Sequence, residues 1–190
     1  MIYTSKIKNA LRFSIKTHEV YQKQKRKGKD IPYITHPLTV GLILACAGAS
    51  EDVIAAGILH DTIEDSIAEK KVSQEMLTKR FGENVANIVA SVSEPQKELP
   101  WEERKKEALG HIKTFSNDSL LVKSADILSN ASELLYDYKK DGESTFGRFN
   151  APKEKILQHY RQVITVILEQ WPDNQLADDL REITRNLSRL

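Results

Sequence analysis

The segment Leu59-His60-Asp61-Thr62-Ile63-Glu64-Asp65-Ser66 brings an imidazole and three carboxylates together within two turns of chain. On a continuous helix at 100° per residue, His60, Glu64, Asp61 and Asp65 stand at about 0°, 40°, 100° and 140°. The turns before them are apolar (Val53, Ile54, Ala55, Ala56, Ile58, Leu59), so this face points inward. Burying carboxylates and an imidazole is costly unless something compensates them, and one metal ion compensates all of them at once. The His-Asp dipeptide alone arises by chance in a chain of this size, so further ligands are needed.

Two other segments supply them. His36 stands at the start of an apolar run in Pro32-Tyr33-Ile34-Thr35-His36-Pro37, with Pro37 expected at the first helical position. Asp126 interrupts an apolar helix in LLVKSADILSN, and Asn130 follows one turn later on the same face. Two imidazoles and two carboxylates form a mixed nitrogen and oxygen set suited to Mn²⁺, Fe²⁺ or Zn²⁺ rather than Ca²⁺. The competing explanations are a buried His60–Asp61 ion pair and an Asp126–Lys123 pair one turn apart.

The elements that must position these residues read as helices. An amphipathic stretch over 3–24 carries Ile7, Leu11, Ile15 and Val20 at helical spacing, and an apolar helix covers about 36 to 48. Ser50 caps a helix that runs to about Asp65. Ser73 opens a short one, Gly82 breaks it, and another reaches about Ser93. Pro95–Pro100 reads as a linker and 101–114 as a charged helix. A further helix covers 118–139, and Asp141–Phe149 reads as a loop. Asn150 caps a helix to about 171, and the last shows Leu176, Leu180, Ile183 and Leu187 on one face. No alternating run is long enough for a strand, so the expectation is one all-α domain over 1–190. His18 and His111 read as surface residues, Trp101 and Trp171 as packing, and Cys46 as core.

Composition limits the function classes. With 28 Lys+Arg against 27 Asp+Glu, the net charge of +1 argues against a general nucleic-acid binder. The basic run is short and lacks the interleaved aromatics that stack on bases. A single Cys excludes a disulfide scaffold, and a reducing, cytoplasmic setting follows as the expectation. No apolar run approaches the roughly 18 residues that a membrane span requires.

The order His36, His60-Asp61, Asp126 resembles the HD-domain metal-dependent phosphohydrolases. More narrowly, RKGKDIPYITHP, AAGILHDTIEDS and VKSADILSN resemble the hydrolase domain of RelA/SpoT-type proteins and the stand-alone small alarmone hydrolases. SEPQKELPWEERKKEAL is similar to a linker and helix of the same stand-alone proteins, and the likeness covers residues 10–170. The resemblance implies a helical bundle of about eight to ten helices. It implies one divalent ion, usually Mn²⁺, on His36, His60, Asp61 and Asp126. Glu64 and Asp65 would serve the hydrolytic water and the leaving group. Arg26-Lys27 after Gln24 would hold phosphate or base, and Asn130 would touch the nucleotide.

The implied reaction is removal of the 3′-pyrophosphate of guanosine alarmones such as ppGpp, giving GDP or GTP and pyrophosphate. The residues fit that substrate. Lys23, Lys25, Arg26, Lys27 and Lys29 form a cationic lip shortly before His36, suited to phosphate. The family often has His where this chain has Tyr21, and a cation and a His where it has Ile127 and Ser129. Those departures support two other readings: an HD-type nucleotide phosphohydrolase or phosphodiesterase of different substrate, and a nucleotide-sensing module without turnover.

Overall fold

The computed structural model describes residues 3–94 and 100–190, so the linker expected at Pro95–Pro100 lies, Pro100 apart, outside the described residues. The chain folds as α1 (Ser5–Ile15), a π-helical turn (Lys16–Tyr21), α2 (Thr35–Cys46), α3 (Glu51–Leu59) and a single turn, α4 (Thr62–Asp65). Then come α5 (Gln74–Phe81), α6 (Glu83–Val92), α7 (Trp101–Ile112) and α8 (Asn117–Asp141). A 3₁₀ segment (Gly142–Arg148), α9 (Lys153–Gln170) and α10 (Ala177–Leu187) complete it. Among the described residues the only β pairing is an isolated bridge between Lys25 and Pro32, and the fold is all-α as expected. No described helix is long and apolar enough to cross a membrane.

Side-chain caps start four of the helices. Thr4, Ser50, Ser73 and Ser116 each accept the backbone N–H of the residue three positions on, which satisfies one otherwise orphaned donor. Asn150 does not cap α9: Pro152 fixes an extended entry (φ −59°, ψ 154°), so the helix opens at Lys153. Asp141–Phe149, expected as a loop, winds into the 3₁₀ segment.

The long helix α8 is the axis of the molecule, packed against α2, α3, α6, α9 and α10. Its buried Leu120, Leu121, Val122, Ala125, Ala131 and Leu134 join the core. Helices α2 and α3 approach closely: a Cβ on Gly57 would collide with Leu44 and one on Gly41 with Ile58. These two glycines let the helices carrying His36 and His60 lie side by side.

The amino-terminal stretch departs from the expected single helix. Ile7, Ala10, Ser14, Thr17 and His18 are buried, while Ile15 and Val20 are exposed. The π turn inserts one residue into the repeat and rotates the inward face, and small polar side chains suit the close contact with α3. His18 is therefore fully buried rather than on the surface. Cys46, expected in the core, is exposed at the end of α2, and His111 is exposed as expected.

Candidate metal centre and substrate cavity

The inward helix does not run straight through His60-Asp61. Helix α3 stops at Leu59, Asp61 sits at φ −93° and ψ −2°, and α4 restarts at Thr62. Two side chains take over the carbonyls where the helix breaks. Thr62 Oγ1 donates to Leu59 O at 2.7 Å, and His60 Nδ1 lies 2.7 Å from Gly57 O. A carbonyl only accepts, so Nδ1 carries the proton in that bond and Nε2 is the nitrogen turned to the cluster.

His36 comes from the first turn of α2, which opens at Thr35, so Pro37 is its third residue rather than its first. Its Nδ1 is 3.0 Å from Ser129 Oγ on α8, and its ring centroid is 5.1 Å from that of His60. One nitrogen of His36, one of His60 and one Asp126 oxygen all lie within 4.8 Å of one another. Asp61 borders the same space: its Oδ2 is 3.0 Å from His60 Nε2 and 3.8 Å from His36 Nε2.

These donors fit a divalent ion. Both imidazoles are oriented through their other ring nitrogen, and both carboxylates accept hydrogen bonds from neighbouring side chains. Asp126 Oδ2 accepts from Lys123 Nζ at 2.8 Å, and its Oδ1 accepts from Asn130 Nδ2 at 2.6 Å while lying 3.2 Å from His36 Nε2. Asp61 Oδ2 accepts from Tyr33 Oη at 2.5 Å. The two competing explanations, a His60–Asp61 pair and an Asp126–Lys123 pair, are thus both present geometrically.

The electrostatics match a compact site of mixed charge. Burial works against a charged His60, yet Asp61 and then Asp126 prevail and raise it from 6.5 to about 9. Burial likewise opposes the charged form of Asp61, but His60 and His36 hold its carboxyl well below the usual range. Asp126 is held down in the same way, chiefly by Lys123. Without an ion, the proton on His60 supplies the compensating positive charge.

This cluster opens on a cavity of about 560 Å³. Its lining is polar at His36, Asp61, Asp126 and Lys123, and aromatic and aliphatic at Trp101, Phe149, Ile156 and Tyr160. Trp101 meets His159 edge-on at 6.0 Å, so it lines the cavity as well as packing. Ile127 contributes an apolar patch beside Asp126. Glu64 and Asp65, on the single turn α4, are not among the cavity-lining residues; Glu64 Oε2 accepts the Glu94 N–H at 3.2 Å.

The expected cationic lip is divided. Lys25 pairs with Asp30 on the surface. Arg26 gives Nε to Glu133 Oε2 at 2.9 Å and Nη2 to Asn130 Oδ1 at 2.7 Å, with a further ion pair to Glu133. Lys29 is taken up by Glu133 and Asp137, and Asp137 also holds Arg148 at 2.6 Å. Asp126, Asn130, Glu133 and Asp137 follow one another at spacings of four, three and four on α8, one face of the helix. Among the described residues Lys27 has no carboxylate partner. It lies over the Phe149 ring at 5.6 Å, and burial followed by Arg104, Arg148 and Lys105 lowers its pKa.

Tyr33, Glu94 and Lys105 are among the contributors that the sequence did not single out. Tyr33 stands three residues before His36 within a quoted motif. Glu94 ion-pairs with Lys105 and with Arg104 at 3.2 Å. Lys105 also lines the cavity, but in a helix as charged as WEERKKEA nothing separates an inward lysine from a solvated one.

Comparison with known proteins agrees with this geometry. An HD-domain family model matches residues 10–144. The chain is 40% identical over 119 residues to guanosine-3′,5′-bis(diphosphate) 3′-pyrophosphohydrolase MESH1 of Xenopus tropicalis, covering 61% of this chain and 64% of that protein. The match thus spans just under two thirds of that relative's length. It is 30% identical to Drosophila melanogaster MESH1 over 133 residues, 69% of this chain and 70% of that one. A solved structure described as a metazoan ortholog of SpoT that hydrolyzes ppGpp aligns with a TM-score of 0.81 and 25% identity, covering 99% of this chain and 98% of that chain. HD-domain hydrolases are metal-dependent, and a His/Asp cluster fit for an ion lies where the family model matches. The chain belongs to the HD-domain family.

Proposed function

We propose that this protein hydrolyses the 3′-pyrophosphate of guanosine alarmones, (p)ppGpp, with His36, His60, Asp61 and Asp126 holding one divalent ion, Mn²⁺ in the first instance. The observation that carries the reading is that His36, Asp61 and Asp126 of that cluster line a cavity that Lys27, Lys105 and Arg148 also line. A ligand with phosphate at one end and a flat ring at the other matches its polar and aromatic walls. The relatives named for this reaction support the substrate class.

A divalent ion bound there supplies Lewis-acid polarisation of a phosphoryl oxygen and a more acidic water. The chain's own residues do the rest. Lys27 meets phosphate oxygens with a charge that no described carboxylate neutralises, and Arg26, fixed by Glu133 and Asn130, gives the cavity a rigid edge. Glu64 and Asp65, on the turn that follows Asp61, are assigned the proton of the attacking water and its return to the leaving oxygen. The water oxygen bonds to the 3′-linked phosphorus, the bond from phosphorus to the 3′-oxygen breaks, and that oxygen leaves with a proton. GDP or GTP and pyrophosphate result.

The whole chain is read as one domain acting on a small nucleotide, in the cytoplasm. Pyrophosphate release in Mn²⁺ should be measured for ppGpp, pppGpp, nucleoside tri- and monophosphates and cyclic nucleotides. Turnover of ppGpp and pppGpp, abolished in Asp61→Ala, is the expected result. Pyrophosphate release confined to other nucleotides, or full activity in Asp61→Ala, overturns the assignment.

A further inference from the structure

Asp61 lies in the break between α3 and α4, at φ −93° and ψ −2°, past the last residue of α3. A carboxylate there has free side-chain torsions, and its backbone does not decide which oxygen it presents. Each carboxylate of the cluster nevertheless has its own holder. Asp126 has Lys123 and Asn130; Asp61 has the phenol of Tyr33. We propose that Tyr33 is the positioning residue that presents Asp61 to a bound divalent ion, its hydroxyl fixing the carboxylate oxygen nearest to His36 and His60. The proposal rests on the reading of His36, His60, Asp61 and Asp126 as the ligand set, and concerns what makes that set competent.

Three observations carry it. First, the oxygen that accepts the Tyr33 hydroxyl is Oδ2, the same atom that lies 3.0 Å from His60 Nε2 and 3.8 Å from His36 Nε2. The hydrogen bond therefore acts on the atom that faces the cluster. An sp² oxygen has two lone-pair directions, so one can take the phenol while the other remains for a cation.

Second, the phenol ring is immobilised from several sides. Its centroid is 5.3 Å from that of His18 and 5.8 Å from that of His36, and the Arg26 guanidinium lies over it at 5.5 Å. Its backbone is tied at both ends: Tyr33 N–H donates to Gln24 O at 2.8 Å, and His36 N–H donates to Tyr33 O at 2.9 Å. The ring that steadies Asp61 is thus joined by one hydrogen bond to the turn carrying His36.

Third, the fold commits an unusual element to backing this ring. The π turn Lys16–Tyr21 turns His18 wholly inward, with its ring beside that of Tyr33. Its contact with Tyr33 is one of packed rings, which holds the phenol without competing for its hydroxyl. A neutral donor also suits the site: it fixes Asp61 without adding a second cation beside the ion.

Tyr33→Phe isolates the hydroxyl, because it keeps the ring and its packing against His18, His36 and Arg26. The test is calorimetric titration of Mn²⁺ into the full chain without nucleotide, alongside thermal melting of the ion-free protein. Partners behind metal ligands typically govern affinity by about 10–100-fold, so Tyr33→Phe should raise the Kd for Mn²⁺ by that factor. Its ion-free melting temperature should stay near that of the wild type. Equal Mn²⁺ affinity in both proteins overturns the role of Tyr33, as does a loss confined to melting temperature. A wild-type chain that takes up none of Mn²⁺, Fe²⁺ or Zn²⁺ overturns the ligand-set reading and the proposal with it, and is a result distinct from equal affinity.

Discussion

Arg26 and Glu133, 107 positions apart in sequence, are locked together, with guanidinium Nε and Nη2 both on the same carboxylate oxygen. Burial works against a charged Glu133, but Arg26 and then Lys29 prevail and bring it from 4.5 to about 2. A carboxyl held low in the folded state contributes stability above its unfolded value of 4.5 and loses it as pH falls toward about 2. Glu133→Gln should therefore cost about 1–3 kcal/mol at neutral pH. It should also flatten the decline in stability across that acid window. Urea melts at a series of acid pH values measure both, and an unchanged acid slope counts against the pair.

Lys27 and Lys29 make a matched contrast on one loop. Lys29 is taken up by Glu133 and Asp137, whereas Lys27 stands over Phe149 among like charges. Lys27→Ala is expected to raise KM for ppGpp by about tenfold, the order of one charged hydrogen bond, with little loss of stability. Lys29→Ala should lower the melting temperature instead. Steady-state kinetics beside thermal melts separate them, and a reversed pattern rejects the division of the lip.

Ion binding should displace the proton of His60. In the ion-free protein that proton is held to about 9, so a ligand nitrogen becomes available only on its release. Between about pH 6 and 8 the Kd for Mn²⁺ should tighten by up to about tenfold per pH unit. Calorimetry in buffers of different ionisation heat should count about one proton released per ion. The sign for stability is the opposite: a histidine raised from 6.5 contributes fully below that value and loses the contribution as pH rises through about 9. Melts in a chelator should show the ion-free protein weakening over that range.

The contact of α2 with α3 leaves no room for a side chain at Gly57, where a Cβ runs into Leu44. Gly57→Ala is expected to destabilise the protein by about 1–3 kcal/mol, the usual cost of overpacking. It should also weaken Mn²⁺ binding, because the carbonyl that orients His60 belongs to the same residue. Gly48→Ala is the control, for it has open space although its φ of +73° adds local strain. Equal Mn²⁺ affinity in the two variants would count against coupling between this contact and the site.

The chain order of His36, His60-Asp61 and Asp126 was legible because each interrupts an apolar run, and such interruptions survive in one dimension. The all-α class followed from the same periodicity. What stayed hidden depends on contacts between distant segments. The pairing of Arg26 with Glu133 joins two charge patterns that each read as solvated. The inward turn of His18 needs one extra residue in a helical repeat, which Ile15 and Val20 conceal by appearing to continue the apolar stripe. The break at His60-Asp61 is written in hydroxyl and imidazole bonds to Leu59 and Gly57, which a helical wheel does not record.

A single rod carries Asp126 at one end of its polar face and Asp137 toward the other. At 1.5 Å of rise per residue their separation along α8 is about 16 Å. The first belongs to the cluster, and the second anchors Lys29 and Arg148, of which Arg148 lines the cavity. The helix therefore works as a gauge: the distance between the cluster and the carboxylate that anchors Arg148 is ruled by the rise of one element. Inserting one turn between Asp126 and Asp137 would lengthen that distance by about 5.4 Å.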